Sequence, residues 1–205
     1  MKFLSGIDRY LAPSTRAEPA YPHTLRHKEV AKFGVVNDSL VEEYPGIYSF
    51  PLLAYDYCDY LCRIAEEEKY SSGCPIIFLD EISQSIQDQF LEVPGEAIGE
   101  LIQALTTRSH ISAFSDPYLV SVDGGSEEPR ACTLEGDYTV AINVGGNGGG
   151  GLFFPKPFQS RFRAVEVPVG SAVMFPSCFE SGLTQGSDSR ITFLVVNFYI
   201  DQEYG

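Results

Sequence analysis

Arg190 stands alone at the head of an otherwise apolar run, Ile191-Thr192-Phe193-Leu194-Val195-Val196-Asn197-Phe198-Tyr199. A guanidinium that enters a protein interior must be paired, and its fork of donors suits a carboxylate in bidentate fashion. Two readings follow: a strand-edge pair with Asp188 or Glu180, or a carboxylate ligand held inside the fold. Metal chemistry has fewer candidates, because His23, His27 and His110 are the only histidines. His23 and His27 are spaced i, i+4, as two ligands on one helical turn would be. Pro22 and the polar surroundings make them surface residues instead, and no third ligand is near. Cys58 and Cys62 are likewise four apart within a helical pattern and read as helix-face residues. The five cysteines (Cys58, Cys62, Cys74, Cys132, Cys178) are odd in number and lack paired zinc-type spacing. A reduced, intracellular chain with no two cysteines bonded is the expectation.

The elements that must position these residues change character along the chain. Residues 1–45 read as an arm: Pro13, Pro19 and Pro22 interrupt it, its apolar residues keep no sustained period, and Tyr44-Pro45-Gly46 closes it with a turn. Such arms often order only against another subunit. A domain over 46–205 follows. Ile47-Tyr48-Ser49-Phe50 is a short strand leading into a helix near 52–69, on which Leu53, Tyr57, Leu61, Ile64 and Ala65 recur at helical spacing. Glu66-Glu67-Glu68-Lys69 is a solvated face, and Ser71-Ser72-Gly73 stops the helix. A short strand is expected over Pro75-Ile76-Ile77-Phe78-Leu79, an ambiguous, helix-leaning segment over 81–90, and a second helix over 96–108 with Ile98, Leu101, Ile102 and Leu105 on one face. Beyond Ser109 the period becomes that of strands: Tyr118–Val122, Tyr138–Val144, Gly149–Pro155, Gly170–Pro176 and Arg190–Tyr199, joined by Gly-, Ser- and Pro-rich loops. Helices first and strands afterwards predict an α+β fold, with helices backing a β-sandwich or open barrel.

Four pieces of this pattern, in this order, resemble the iron(II)/2-oxoglutarate-dependent dioxygenases, specifically the prolyl- and lysyl-hydroxylase-like branch. Ile47–Phe50 with its helix resembles the start of that domain. Tyr138-Thr139-Val140-Ala141-Ile142-Asn143-Val144 resembles the strand after the family's first metal motif. Gly149-Gly150-Gly151-Leu152-Phe153-Phe154-Pro155 resembles its glycine turn and Phe strand. Gly170-Ser171-Ala172-Val173-Met174-Phe175-Pro176 resembles the strand before its last histidine. The resemblance covers roughly residues 47–200 and implies a double-stranded β-helix of the jelly-roll or cupin kind.

The same resemblance implies where ligands should stand. The family uses His-x-Asp on one strand and a distal His on another, which leaves three positions on the iron for 2-oxoglutarate and O₂. Counted from Tyr138, the first motif falls on Cys132-Thr133-Leu134. Counted back from Arg190, which fits the family's cosubstrate-binding Arg, the distal position falls on Glu180 or Ser181. The cosubstrate anchor is thus kept while all three ligand positions are changed. Leu134 cannot coordinate, Ser181 would be a poor neutral ligand, and a Cys132 thiolate with Glu180 gives two ligands of different hardness. A Cys/Asp/Glu site is conceivable if Glu135 or Asp137 turned inward. Against it stands a plainer arrangement, with Cys132 and Leu134 as core side chains and Asp137 capping a turn.

Composition narrows the function further. The chain has 28 acidic and 14 basic residues, a net charge of −14, which repels phosphate backbones and anionic membranes. Neither a nucleic-acid nor a membrane partner is expected. No run approaches the roughly 20 apolar residues that span a bilayer, and the N-terminus lacks the apolar stretch of a signal peptide. The chain is therefore expected to be intracellular (cytoplasmic) or within a virion, and not secreted. The leading expectation is a catalytically degenerate dioxygenase-like protein, a structural or interaction component of a larger assembly, self-assembling or meeting protein partners through its arm. A virus particle is one such assembly. No cofactor is expected on that reading. The alternatives are an active prolyl/lysyl-hydroxylase-like oxygenase with an atypical metal site, using Fe(II) and 2-oxoglutarate, and a metal-free carboxylate-binding module built on Arg190.

Overall fold

A computed structural model describes residues 40–72, 76–106, 110–122, 134–146, 151–154, 163–184 and 191–201. The first strands form a hairpin, β1 (Val41–Tyr44) and β2 (Ile47–Pro51), turned at Pro45-Gly46. Thus the last residues of the segment read as an arm already belong to a sheet, and the rest of that segment lies outside the described residues.

Helix α1 (Tyr55–Ser72) buries Tyr57, Cys58, Leu61 and Ala65 on one face, as the 3.6-residue spacing requires. It starts three residues later than the apolar pattern suggests because the backbone before it is already committed. The N–H groups of Leu52 and Leu53 both donate to the Gly170 carbonyl at 2.9 Å, and helical bonding begins only at the Ala54 carbonyl. Gly170 has φ +84°, and a Cβ there would lie 2.7 Å from the Leu53 carbonyl oxygen. Only glycine meets both demands. Strand β3 (Ile76–Phe78) lies within the expected short strand, and the ambiguous stretch is taken up by α2 (Leu79–Ile82) and α3 (Gln84–Phe90), followed by a π-turn at Leu91–Gly95 that contains Pro94. Helix α4 (Glu96–Thr106) then buries Ala97, Ile98, Leu101 and Ile102. Near its end the Thr106 hydroxyl donates to the Ile102 carbonyl at 2.7 Å, a local competitor of the helix ladder.

The remaining strands are β4 (His110–Phe114), β5 (Tyr118–Val122), β6 (Tyr138–Gly146), β7 (Gly151–Phe154), β8 (Arg163–Glu166), β9 (Ser171–Pro176), β10 (Gly182–Thr184) and β11 (Ile191–Asp201). They make two antiparallel sheets. The larger runs β1-β2-β9-β6-β11-β5-β3, with β4 also paired to β11, and the smaller runs β10-β7-β8. Strands β4, β8 and β10 are short and carry no pattern that the sequence makes conspicuous.

Strand alternation divides the interior into two cores. Val140, Ile142 and Val144 of β6, Ala172 and Met174 of β9, and Leu194, Val196 and Phe198 of β11 face the helices and pack on Leu52, Leu61, Phe90, Ile98 and Ile102. The intervening residues Ala141, Val173, Phe175, Phe193 and Val195 face the smaller sheet and meet Leu152, Phe154 and Val165. The register shifts by one residue opposite Thr192 and Phe193, leaving Val144 as the extra residue of a bulge. Gly145 follows it, where an added Cβ would sit 3.0 Å from the Cys62 Cβ, so glycine lets α1 lie close on β6. The α+β architecture with two facing sheets is the jelly-roll, or double-stranded β-helix, arrangement expected from the sequence. Among the described residues no helix is long and apolar enough to cross a membrane.

Candidate functional site

One end of the space between the sheets is bounded by the segment entering β6, the turn after β9 and the far part of β11. Leu134 is half-buried there against the inter-sheet core, and its N–H reaches the Ser177 carbonyl at 3.4 Å. The turn beginning at Ser177 leads through Cys178, Phe179 and Glu180 to Ser181. Ser181 is buried and Glu180 is exposed. Cys132, Arg190 and the proposed pairing partner Asp188 lie outside the described residues, as do His23 and His27.

The acidic residues that could have supplied a replacement carboxylate are turned to other work. Asp137 is exposed, and its Oδ2 accepts the Ile200 N–H at 2.8 Å. Its backbone N–H donates to Phe198 O at 2.8 Å and its carbonyl accepts the Ser177 N–H at 2.9 Å. It therefore ties the start of β6 to β11 and to the turn after β9, a backbone-capping role rather than an inward one. Glu135 is exposed. Beside them Tyr138 has its phenol pushed above its ordinary value, first by burial and then by electrostatic interaction with the neighbouring Asp137 and Cys178.

Inside this end, three polar side chains that sequence reasoning did not single out bond to one another. The Thr139 hydroxyl donates to Asn197 Oδ1 at 2.8 Å, and its oxygen is 2.8 Å from Ser177 Oγ. With the threonine proton spent on Asn197, the Ser177 hydroxyl is the donor of the second bond. Thr139, Ser177 and Asn197 are all buried, and strand register brings Thr139 opposite Asn197 on one side and Phe175 on the other. Asn197 is further fixed through its backbone, whose N–H donates to Ser115 Oγ at 3.0 Å and whose carbonyl accepts the Ser115 N–H at 2.8 Å. The available signal was a polar residue at an inward position of a strand: Asn197 interrupts an apolar run, and Thr139 precedes another.

Deeper in, Asn143 donates from Nδ2 to the Val167 carbonyl at 2.6 Å and accepts the Gly145 N–H on Oδ1 at 3.1 Å. Between the two polar points the space is filled by apolar groups. Phe154 and Phe175 meet edge to face with ring centroids 4.9 Å apart, and Val173, Phe193 and Val195 close around them.

The donor chemistry follows from these environments. Among the described residues, the buried polar side chains are Gln87, Ser121, Thr139, Asn143, Ser177, Ser181, Thr192 and Asn197, none of which carries a charge. A hard divalent ion needs imidazole or carboxylate donors that offset its desolvation. Leu134 has none to offer, the Ser177 and Thr139 hydroxyls are engaged with each other, and the Glu180 carboxylate stays in solvent. Among the described residues no three His, Cys, Asp or Glu side chains come together as a metal cluster. The described side chains at this end do not fit an iron(II) centre.

Three comparisons place the fold among known proteins. No family model matches the chain, and no curated protein matches it. Solved structures do. The chain is similar to a prolyl-4-hydroxylase of Pseudomonas putida at TM-score 0.55 and 14% identity, over 75% of this chain and 88% of that one. It is similar to AviO1 of Streptomyces viridochromogenes Tue57 at TM-score 0.56 and 13% identity, over 78% and 91%. A third is SnoK, a non-heme alpha-ketoglutarate-dependent carbocyclase from nogalamycin biosynthesis, at TM-score 0.54 and 12% identity, over 75% and 79%. The shared feature is the fold, a double-stranded β-helix.

Proposed function

We propose that this chain is a degenerate relative of the iron(II)/2-oxoglutarate dioxygenases that keeps their barrel as a scaffold and acts through its surface, as a structural or interaction component of a larger assembly such as a virus particle. The observation that carries the reading is the content of the barrel. Where a dioxygenase of the hydroxylase-like branch would present His, Asp and His, this sequence has Cys132, Leu134 and Glu180 or Ser181. The described space beside Leu134 holds mutually bonded neutral hydroxyls and an amide, backed by packed aromatic rings. Mutual bonding of this kind rigidifies a fold and occupies hydroxyls that a ligand would otherwise use.

Burial supports Ser181 over Glu180 as the counterpart of the distal histidine, because the serine is enclosed and the glutamate is not. Arg190 would then be a relic of the cosubstrate anchor, or a working carboxylate site. Calorimetric titration of the full chain with 2-oxoglutarate, with and without Fe(II) under anaerobic conditions, separates these outcomes. No binding heat in either condition is expected. Binding without metal would establish a carboxylate module on Arg190, and binding that requires Fe(II) would establish an oxygenase with an atypical centre.

A further inference from the structure

We propose that this chain cuts itself at the bond between Asp116 and Pro117, with the Asp116 carboxyl group as the nucleophile, an activity that goes beyond the scaffold reading and does not rest on it. The sequence supplies the reactants. An aspartic acid side chain is of the right length to reach its own main-chain carbonyl carbon and close a cyclic anhydride. The prolyl nitrogen, more basic than an ordinary amide nitrogen, is a good leaving group. Proline also lacks an N–H, which closes the competing route in which the next residue's amide nitrogen attacks the side chain. Of the 13 prolines only Pro117 follows an aspartate, so a single cut is expected.

The fold supplies the orientation. Ser115-Asp116-Pro117 joins β4 to β5 and is held on both sides of the bond. Before it, the Ser115 N–H donates to the Asn197 carbonyl at 2.8 Å and the Asn197 N–H donates to Ser115 Oγ at 3.0 Å. After it, the Pro117 carbonyl accepts the Leu79 N–H at 2.9 Å. Pro117 is buried while Asp116 is exposed, so water reaches the carboxyl group. The Ser115 hydroxyl, with one lone pair accepting the Asn197 N–H, donates its proton to the Asp116 carbonyl oxygen at 3.5 Å. Negative charge builds on that oxygen as the carbonyl is attacked, and a donor placed there stabilises the transition state. Such bonds are often long before reaction.

The carboxyl group is placed by Gln87 of α3, whose Nε2 donates to Asp116 Oδ1 at 2.8 Å. Gln87 is buried, and its Oε1 has no hydrogen-bond partner among the described residues. A carboxamide with a spare acceptor beside a carboxyl group suits the protonated acid, which has a proton to donate where the carboxylate has none. The partners described around this bond, Gln87, Ser115, Asn197 and Leu79, carry no charge. The carboxylates of α2 and α3 are engaged locally: Asp80 Oδ1 with the Glu81 N–H, Glu81 Oε2 with the Phe78 N–H, and Asp88 Oδ1 with Gln84 Nε2.

In the step, a carboxyl oxygen of Asp116 bonds to the Asp116 carbonyl carbon, the bond from that carbon to the Pro117 nitrogen breaks, and the carboxyl proton leaves on the nitrogen. One water then opens the cyclic anhydride, which restores the Asp116 side chain and makes a new α-carboxyl group. No oxidant, metal or second protein is consumed. The two pieces, 1–116 and 117–205, are expected to stay together, because β4 and β5 both pair with β11.

The test is intact-mass measurement of the full chain during incubation at neutral and mildly acid pH, where circular dichroism shows that the fold is kept, beside the same chain held unfolded in denaturant. The folded chain should yield fragments 1–116 and 117–205, with masses that sum to the parent plus one water. It should do so at least about tenfold faster than the unfolded chain, because the fold orients the reacting groups, and faster in acid than at neutral pH. The fragments should co-elute in gel filtration and separate in denaturant. Asp116→Ala should give no cut. Ser115→Ala should slow the cut at least about tenfold, and Ser115→Thr, which keeps the hydroxyl, should retain most of the rate. Equal rates in the folded and unfolded chain would reduce the cut to the ordinary acid lability of such a bond and overturn the proposal. An intact folded chain overturns it too, and so does a cut at this bond that persists in Asp116→Ala, the mark of a contaminating protease. None of these outcomes bears on the 2-oxoglutarate and iron measurements.

Discussion

Thr139 carries more of this barrel than its size suggests, because its hydroxyl bonds both the Asn197 amide and the Ser177 hydroxyl. Thr139→Val keeps the shape and removes the donor, leaving Asn197 Oδ1 buried without it. A loss of about 1–3 kcal/mol in denaturant unfolding is expected, and a change under 0.5 kcal/mol would mean that the network does not stabilise the fold. The cysteines differ as sharply. Burial, and then the neighbouring Cys62, push the Cys58 thiol up to about 12, above its ordinary value of 9.0. The folded chain therefore holds that proton where the unfolded chain has lost it. The stability Cys58 contributes is complete below pH 9 and is lost as pH rises from there towards 12. Alkaline unfolding should show this slope, and Cys58→Ala should flatten it. Cys178 is exposed and should react with a thiol reagent in the native state, whereas Cys58 should react only after denaturation. The ligand positions make a third expectation. Cys132→His/Leu134→Asp/Ser181→His should gain Fe(II) affinity over the parent, and the same variant built with Glu180→His in place of Ser181→His should not. If both remain folded and neither gains affinity, the assignment of these positions is mistaken.

At the level of elements, Gly170 is the joint between strand β9 and helix α1, and its backbone conformation and its contact with Leu53 both exclude a side chain. Gly170→Ala should cost at least about 2 kcal/mol, combining positive-φ strain with displacement of the carbonyl that receives two N–H groups. A neutral result in thermal unfolding would show that this junction can move. Phe175→Ala, at the centre of the inter-sheet core, should cost about 3–5 kcal/mol, and a much smaller loss would indicate a loosely filled barrel. The helices and the long strands were legible in the sequence because each buries a face whose period is unmistakable, as on α1, α4, β6 and β11. Helix α1 began later than its pattern because the Leu52 and Leu53 amides were taken by Gly170, a tertiary contact that no local period contains. Strands β1, β4, β8 and β10 were missed for a related reason. They have three to five residues each, and pairing with a neighbouring strand, more than their own composition, makes them strands.

For the molecule as a whole, the order of strands was enough to expect two facing sheets backed by helices, since the side-chain pattern of a buried sheet survives when a site does not. The candidate site was legible mainly as a set of replaced positions. What occupies the space, the Thr139–Ser177–Asn197 network, depends on strand register and on a turn after β9, neither of which spacing along one strand reveals. The arm boundary was drawn at residue 45, yet Val41–Tyr44 pair with β2. Deleting residues 1–39 should therefore leave the cooperative unfolding of the domain intact, while deletion through residue 45 should lower its midpoint by removing an edge strand. Equal midpoints for the two deletions would show that β1 contributes nothing. The central claim, that the barrel no longer serves iron chemistry, is tested most directly by the iron stoichiometry of the purified full chain after anaerobic incubation with equimolar Fe(II) and excess 2-oxoglutarate, followed by desalting. The account predicts well under a tenth of an iron per chain, and a value near one that the parent keeps and Leu134→Lys loses would contradict it.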